Sequence, residues 1–273
     1  MLKRITLLAA VTSALMLGAC SKGGNQDAAN DGQKTYIVAT DASYAPLEYL
    51  ENNQVVGFSH DILKAAGEKE GVHFEFVNTP FEGIFANVDK GDSDVALASI
   101  TITDERKKQV DFTDPYFEAT QMIVTAEKGS DIKSFKDLKN RSASVQTGTT
   151  ADLILQDLQG KDSANIKRFE TMPLAFKELE AGGVDATVGD NAVVQNFVSN
   201  NPGKNYHMFI DPKFPKEQYG FALKKGRDDG LREKINKGLA AIKADGTYAQ
   251  IESKWFKKDA PEKAASEAAS ATK

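Results

Sequence analysis

Apolar residues recur along this chain with two periods that take turns. Short runs rich in Val, Ile, Phe, Tyr and Thr read as strands at residues 35–40, 72–77, 95–98, 122–125, 142–146, 166–169, 186–188 and 221–223. Between them, apolar side chains repeat every three or four positions, the spacing of one helix face. Ile62, Leu63 and Ala66 mark a helix over 61–70 that stops at Gly71, and Ile84, Phe85 and Val88 mark one over 81–90. Further helices are predicted at 151–158, 174–181 (ending at Gly182-Gly183), 192–199 (ending before Pro202), 231–244 and 248–256. This alternation predicts an α/β protein of parallel sheets with helices on both faces. The rhythm runs twice, over about 35–124 and 142–199, and then returns to one strand and two helices that lack partners of their own. Two lobes with two crossings account for that order. Open α/β sheets take ligands at the carboxyl ends of their strands, so two facing sheets would form a cleft.

The ends read differently. Lys3 and Arg4 precede an apolar run over 5–17, which closes on Leu17-Gly18-Ala19-Cys20. A charged start, a short apolar core and small residues form a secretory signal over 1–19. The run is too short for a stable membrane span. Cys20 after small residues resembles a bacterial lipobox, which implies cleavage before Cys20 and diacylglycerol on its thiol. Residues 20–34 are too polar to bury anything and read as a flexible tether, and 257–273 as a disordered tail.

Composition narrows the chemistry. At 273 residues and 41% hydrophobic, the chain can build one large or two medium domains. Cys20 is the only cysteine, so no intramolecular disulfide can form. A net charge of -5 without a basic block argues against nucleic acid as a partner. Three histidines and one cysteine offer no metal cluster, and no glycine-rich phosphate loop of the usual spacing occurs, so no metal or cofactor is expected.

Several ordered motifs carry more specific information. They include Thr40-Asp41-Ala42-Ser43-Tyr44-Ala45-Pro46-Leu47-Glu48, Val56-Gly57-Phe58, Ser99-Ile100-Thr101-Ile102-Thr103-Asp104-Glu105-Arg106 and Asp111-Phe112-Thr113-Asp114-Pro115-Tyr116-Phe117. Gln146-Thr147-Gly148-Thr149-Thr150, Gly183-Val184-Asp185-Ala186, Gly189-Asp190-Asn191-Ala192-Val193 and Asp245-Gly246-Thr247-Tyr248 follow, before Lys254-Trp255-Phe256. Together they resemble the family-3 solute-binding proteins of polar amino-acid ABC importers, over nearly all of 36–256. The resemblance implies a two-lobed periplasmic-binding-protein fold of type II, two α/β lobes joined by two hinge strands with the ligand cleft between. Lobe one would comprise 35–116 plus 219–256, lobe two 121–214, and the hinges 117–120 and 215–218. It also implies a non-enzymatic monomer that hands a free L-amino acid to a membrane permease and its ATPase. The protein would sit in the periplasm or cell envelope, anchored to a membrane through lipid on Cys20.

An amino-acid zwitterion needs a planar cation for its carboxylate and an anion for its ammonium. Arg106 offers a bidentate fork; read without the motif, flanked by Glu105, Lys107 and Lys108, it is a solvated helix charge. Asp190 is the expected ammonium partner, or else a helix N-cap. Thr150 opens a helix whose free N–H groups favour a carboxylate. Ser99 and Thr101 would add backbone and hydroxyl bonds, and the resemblance adds Ile100, Gln146 and Thr149 to the set. Tyr44 and Phe81 match positions where relatives hold aromatics against the ligand side chain, although Phe81 also reads as plain core. Asp41 matches an acidic position facing the distal polar group, although it also reads as a turn residue. Glutamine-binding relatives carry lysine where this chain has Gln146 and histidine where it has Gly189. Arginine or lysine is therefore the expected ligand, with glutamine or another polar amino acid as the alternative. A dehydratase-like enzyme on this fold is the alternative of another class. It would need a cleft acid poised near neutral pH, for which Glu48 and Glu217 are the candidates.

Overall fold

A computed structural model describes residues 34–256. The expected signal, Cys20 and the tail from 257 lie outside the described residues. Along the chain run β1 (Thr35–Thr40), β2 (Ser43–Tyr44), β3 (Glu48–Glu51), β4 (Gln54–Val56), α1 (Phe58–Lys69), β5 (His73–Asn78), α2 (Phe81–Lys90), β6 (Val95–Ala96), α3 (Asp104–Lys107) and β7 (Val110–Phe112). Next come β8 (Phe117–Thr125), β9 (Ala143–Gln146), α4 (Thr150–Gln159), β10 (Ile166–Phe169), α5 (Met172–Glu180), β11 (Ala186–Asp190) and α6 (Asn191–Ser199). The last elements are β12 (His207–Phe209), β13 (Lys216–Tyr219), β14 (Ala222–Lys224), α7 (Leu231–Ala244) and α8 (Thr247–Trp255).

Two sheets organise the molecule. The first has the order β5-β1-β6-β14-β7, and the second β10-β9-β11-β8-β12 with β13 also paired to β8. Neither sheet is purely parallel, contrary to expectation. β1 runs parallel to β5 and β6, but β14 is antiparallel to β6 and β7. β9 runs parallel to β10 and β11, but β8 is antiparallel to β11 and β12. The reason is connectivity. Helical crossovers return a strand parallel, whereas β8 and β14 enter their sheets from the two crossings between sheets. Those crossings pair with each other, Phe117 opposite Tyr219 and Thr120 opposite Lys216.

The helices follow the apolar stripes. Phe58, Ile62, Leu63 and Ala66 are fully buried on α1 and face α7, whose Ile235, Leu239 and Ile242 are buried in turn. The helices touch so closely that a Cβ on Gly238 would lie 2.0 Å from the Ala66 carbonyl oxygen. α1 begins three residues before the predicted start because Phe58 extends its stripe. The Phe58 ring packs on Phe117, Tyr248 and Phe256 at centroid distances of 5.2, 5.8 and 5.0 Å, tying α8 and a crossing strand to α1.

Five strands, β2, β3, β4, β7 and β12, escaped the pattern because at two to four residues they are too short to show a period. β2, β3 and β4 form a separate small antiparallel sheet in which Leu50 is 45% exposed. The predicted strand over 95–98 stops after Ala96. The chain then leaves the ladder, and Ser99 takes a left-handed φ of 45°. This loop, not a strand, carries Ser99 and Thr101. Among the described residues no helix is long and apolar enough to cross a membrane.

Candidate functional site

The strand ends deliver polar side chains to one place. Asp41 follows β1, Gln146 ends β9 and Asp190 ends β11. Phe81 and Thr150 are the first residues of α2 and α4, and Arg106 comes from the short α3. Together with Tyr44, Glu48, Ala98, Ser99, Thr101 and Thr149 they line one narrow cavity, with about 20 Å³ open to the centre of a water-sized sphere. Ten of the eleven residues expected at a ligand meet here. The eleventh, Ile100, does not line the cavity: its side chain lies in the core with Ile84, Val88 and Ala222, and its carbonyl accepts from Gly220.

Asp190 occupies the N-cap position of α6, but its carboxylate caps nothing. Its Oδ2 accepts from the hydroxyls of Tyr44, at 2.9 Å, and of Tyr219. Its Oδ1 accepts from Gln121 Nε2 at 2.5 Å. Burial, and then the nearby Glu217, push the Asp190 carboxyl up to about 6 against these bonds. Gln121 Nε2 also donates to Glu217 Oε1 at 3.1 Å, while Glu217 Oε2 accepts from Thr101 at 2.6 Å and Thr150 at 2.9 Å. Asp190, Gln121, Glu217, Thr150 and Thr101 thus form one continuous polar network.

Arg106 is the cation of the site. It donates to two carbonyls, Thr101 O at 2.9 Å from the loop after β6 and Gly148 O at 3.3 Å from the turn after β9. These bonds occupy only part of its five-donor fork. Its guanidinium stands 5.6 Å from the ring centres of both Phe81 and Phe85, so Phe81 is a platform for Arg106 as well as a wall of the cavity. Among the described residues Arg106 makes no ion pair. Burial lowers its proton affinity, and the fields of Glu217 and Asp190 oppose that.

At the other side Asp41 accepts from Ser43 Oγ at 2.7 Å and from Gln146 Nε2 at 2.5 Å. Desolvation raises its pKa despite both bonds. Thr149 serves locally: its hydroxyl donates to Gln146 O and accepts from Asp152 N at the head of α4. The site thus gathers Asp41, Glu48 and Asp190 around one guanidinium, with Glu217 joined through the network. Four carboxyl groups to one fixed cation in a buried cleft favour a ligand that brings positive charge. Among the described residues no group of three His, Cys, Asp or Glu side chains is arranged to hold a metal ion.

Two contributors were absent from the sequence reading, Gln121 and Tyr219. Gln121 left a signal, since it is a polar residue opening an otherwise apolar run on β8. Tyr219 left none. A Cβ at Gly189 would lie 2.6 Å from the terminal methyl of Met172, a flexible end that can give way.

A family model described as bacterial extracellular solute-binding proteins, family 3, matches residues 36–258, and the chain belongs to that family. Its relatives include a probable histidine-binding protein of Neisseria gonorrhoeae, 39% identical over 94% of this chain and 97% of that protein. The fold is similar to the arginine-, lysine-, histidine-binding protein ArtJ of Geobacillus stearothermophilus, with a TM-score of 0.78 and 40% identity over 84% of this chain and 97% of that one. It is also similar to an ancestral arginine-binding protein solved with arginine, with a TM-score of 0.76 and 43% identity over 81% of this chain and 98% of that one. The fold is the two-lobed α/β fold of type II periplasmic binding proteins, and each of these relatives is named as a binding protein.

Proposed function

We propose that this protein captures an L-amino acid outside the cytoplasm and delivers it to the permease and ATPase of an ABC importer, with arginine or lysine as the ligand. The carrying observation is the set of ionisable groups in the cleft: the carboxyls of Asp41, Glu48 and Asp190 line it, Glu217 joins through the Gln121 network, and Arg106 is the one cation among the lining residues. In this reading Arg106 takes the ligand carboxylate with its remaining N–H groups, beside the helix start at Thr150. Asp190 takes the ammonium. The stem lies against Tyr44 and Phe81, and the distal cation approaches Asp41. Ser99, Thr101, Thr149 and Gln146 complete the wall. The relatives' names, which include histidine, arginine and glutamine, support an amino-acid ligand.

A second reading, glutamine, draws on one bond. Asp41 already accepts from the amide of Gln146, so a ligand amide suits it chemically. Calorimetric titration of ligand-stripped protein against all the amino acids separates the two. Arginine or lysine should bind tightest, and glutamine binding tenfold tighter than arginine would refute the basic-ligand reading. The dehydratase alternative is tested by mass spectrometry of recovered ligand, which a receptor returns unchanged.

The lobes would span 35–116 plus 219–256 and 121–214, hinged at 117–120 and 215–218. Lipid on Cys20 would hold the mature, monomeric protein to a membrane. A Cys20→Ala protein that stays membrane-bound at its normal mature size would refute the anchor.

A further inference from the structure

One carboxyl of the cleft has no task in the reading above. Glu48 opens β3, is fully buried and lines the same cavity as Asp41, Asp190 and Arg106. Its Oε2 accepts from Ser99 Oγ at 3.1 Å. Ser99 holds the left-handed φ of 45°, a conformation costly for a residue with a side chain and concentrated at binding sites. Glu48 Oε1 has no partner in good hydrogen-bond geometry; the Ser59 hydroxyl, which accepts from Tyr116, stands close enough to ease its charge, and among the described residues no cation pairs with this side chain. A buried oxygen without a partner is rare and calls for one.

We propose that Glu48 is a further ligand-contacting residue, one that carries a proton before the amino acid enters and gives it to solvent as the ligand's cationic group arrives. The inference rests on the amino-acid-binding reading. Its chemistry balances: a neutral carboxyl plus a cation becomes a carboxylate–cation pair plus one proton in bulk water. The surroundings favour the neutral form while the cleft lacks a ligand cation. Asp41 after β1 and Asp190 on β11 bring like charge, and the hydroxyls of Tyr44 and Tyr116 stand close enough to feel Glu48. The hydroxyls of Ser99 and Ser59 oppose this by favouring the carboxylate, but burial outweighs them. Burial first, and these carboxylates after it, push Glu48 up to about 8. A ligand cation reverses that field, and the free Oε1 becomes its acceptor.

Proton counting tests this. Arginine is titrated calorimetrically into ligand-stripped full-length protein at pH 7.5, in phosphate and in Tris, whose ionisation heats differ. The wild type should release most of one proton per arginine, and Glu48→Gln almost none. Wild-type affinity should rise severalfold between pH 6.5 and 7.5, and change less than about twofold in Glu48→Gln. Should that variant fail to fold, infrared spectroscopy of the wild type reads the same event, as loss of a protonated-carboxyl band on adding arginine. Glutamine separates the partners: release with both ligands assigns the ammonium, release with arginine alone the guanidinium, and either supports the proposal. Binding without proton release, or release that persists in Glu48→Gln, overturns it while leaving the amino-acid reading intact. Failure of every amino acid to bind overturns both.

Discussion

Asp190→Asn should stabilise the protein while weakening its ligand, and these opposite signs make it the sharpest test of the site. The carboxyl is buried and its pKa is raised from 3.8 to about 6. Such a group favours folding while protonated. Its contribution is fully present below pH 3.8 and lost as pH rises through about 6. Above pH 7, ionisation of this one group therefore costs about 3 kcal/mol of stability. Asparagine removes that cost. Its carbonyl can still accept from Gln121 Nε2, and its amide can donate to the hydroxyl oxygens of Tyr44 and Tyr219. We expect chemical unfolding at pH 7.5 to show Asp190→Asn more stable by about 1–3 kcal/mol, the gain vanishing towards pH 4. Binding should move the other way. Losing the charged partner of an ammonium costs about 1.5–3 kcal/mol, or roughly 10- to 150-fold in Kd, and equally for every amino acid. Calorimetry with arginine and with glutamine measures it. A variant that is no more stable at pH 7.5, or that binds both ligands within threefold of wild type, refutes the role assigned to Asp190.

Arg106→Ala should weaken every amino-acid ligand by about a hundredfold or more, since it leaves a buried carboxylate without its fork; equilibrium binding within threefold of wild type would remove Arg106 from the site. Asp41→Asn should weaken arginine strongly and glutamine mildly, because asparagine's carbonyl still accepts from an amide but leaves a guanidinium unpaired. Equal losses for both in side-by-side titrations would detach Asp41 from side-chain recognition. Phe58→Ala should cost about 3–5 kcal/mol in chemical unfolding, because the fully buried ring joins α1, the crossing strand and α8. A loss under 1 kcal/mol would show that this aromatic cluster does not hold the lobe together.

Much of this protein is legible in its sequence because it is locally determined. α7 falls at 231–244 and α2 at 81–90 where the apolar period places them, since helix bonds reach only four residues and the stripe marks the buried face. The motif residues Asp41, Arg106 and Asp190 could likewise be named from their neighbours in the chain. What the tertiary structure decided is everything that depends on two distant segments meeting. Strand direction in the sheets was one such matter, because β8 and β14 arrive through crossings that no local period records. Ile100 was another: its motif neighbours reach the cavity, but the backbone turns at Ser99 and sends this side chain into the core. The charges of the cleft were a third. Glu48 could be named from sequence as a candidate cleft acid, but nothing there set its charge. Only enclosure beside Asp41 and Asp190, with one oxygen left unpartnered, makes Glu48 a proton carrier, because the cost of ionising a carboxyl is set by what surrounds it and not by what precedes it in the chain.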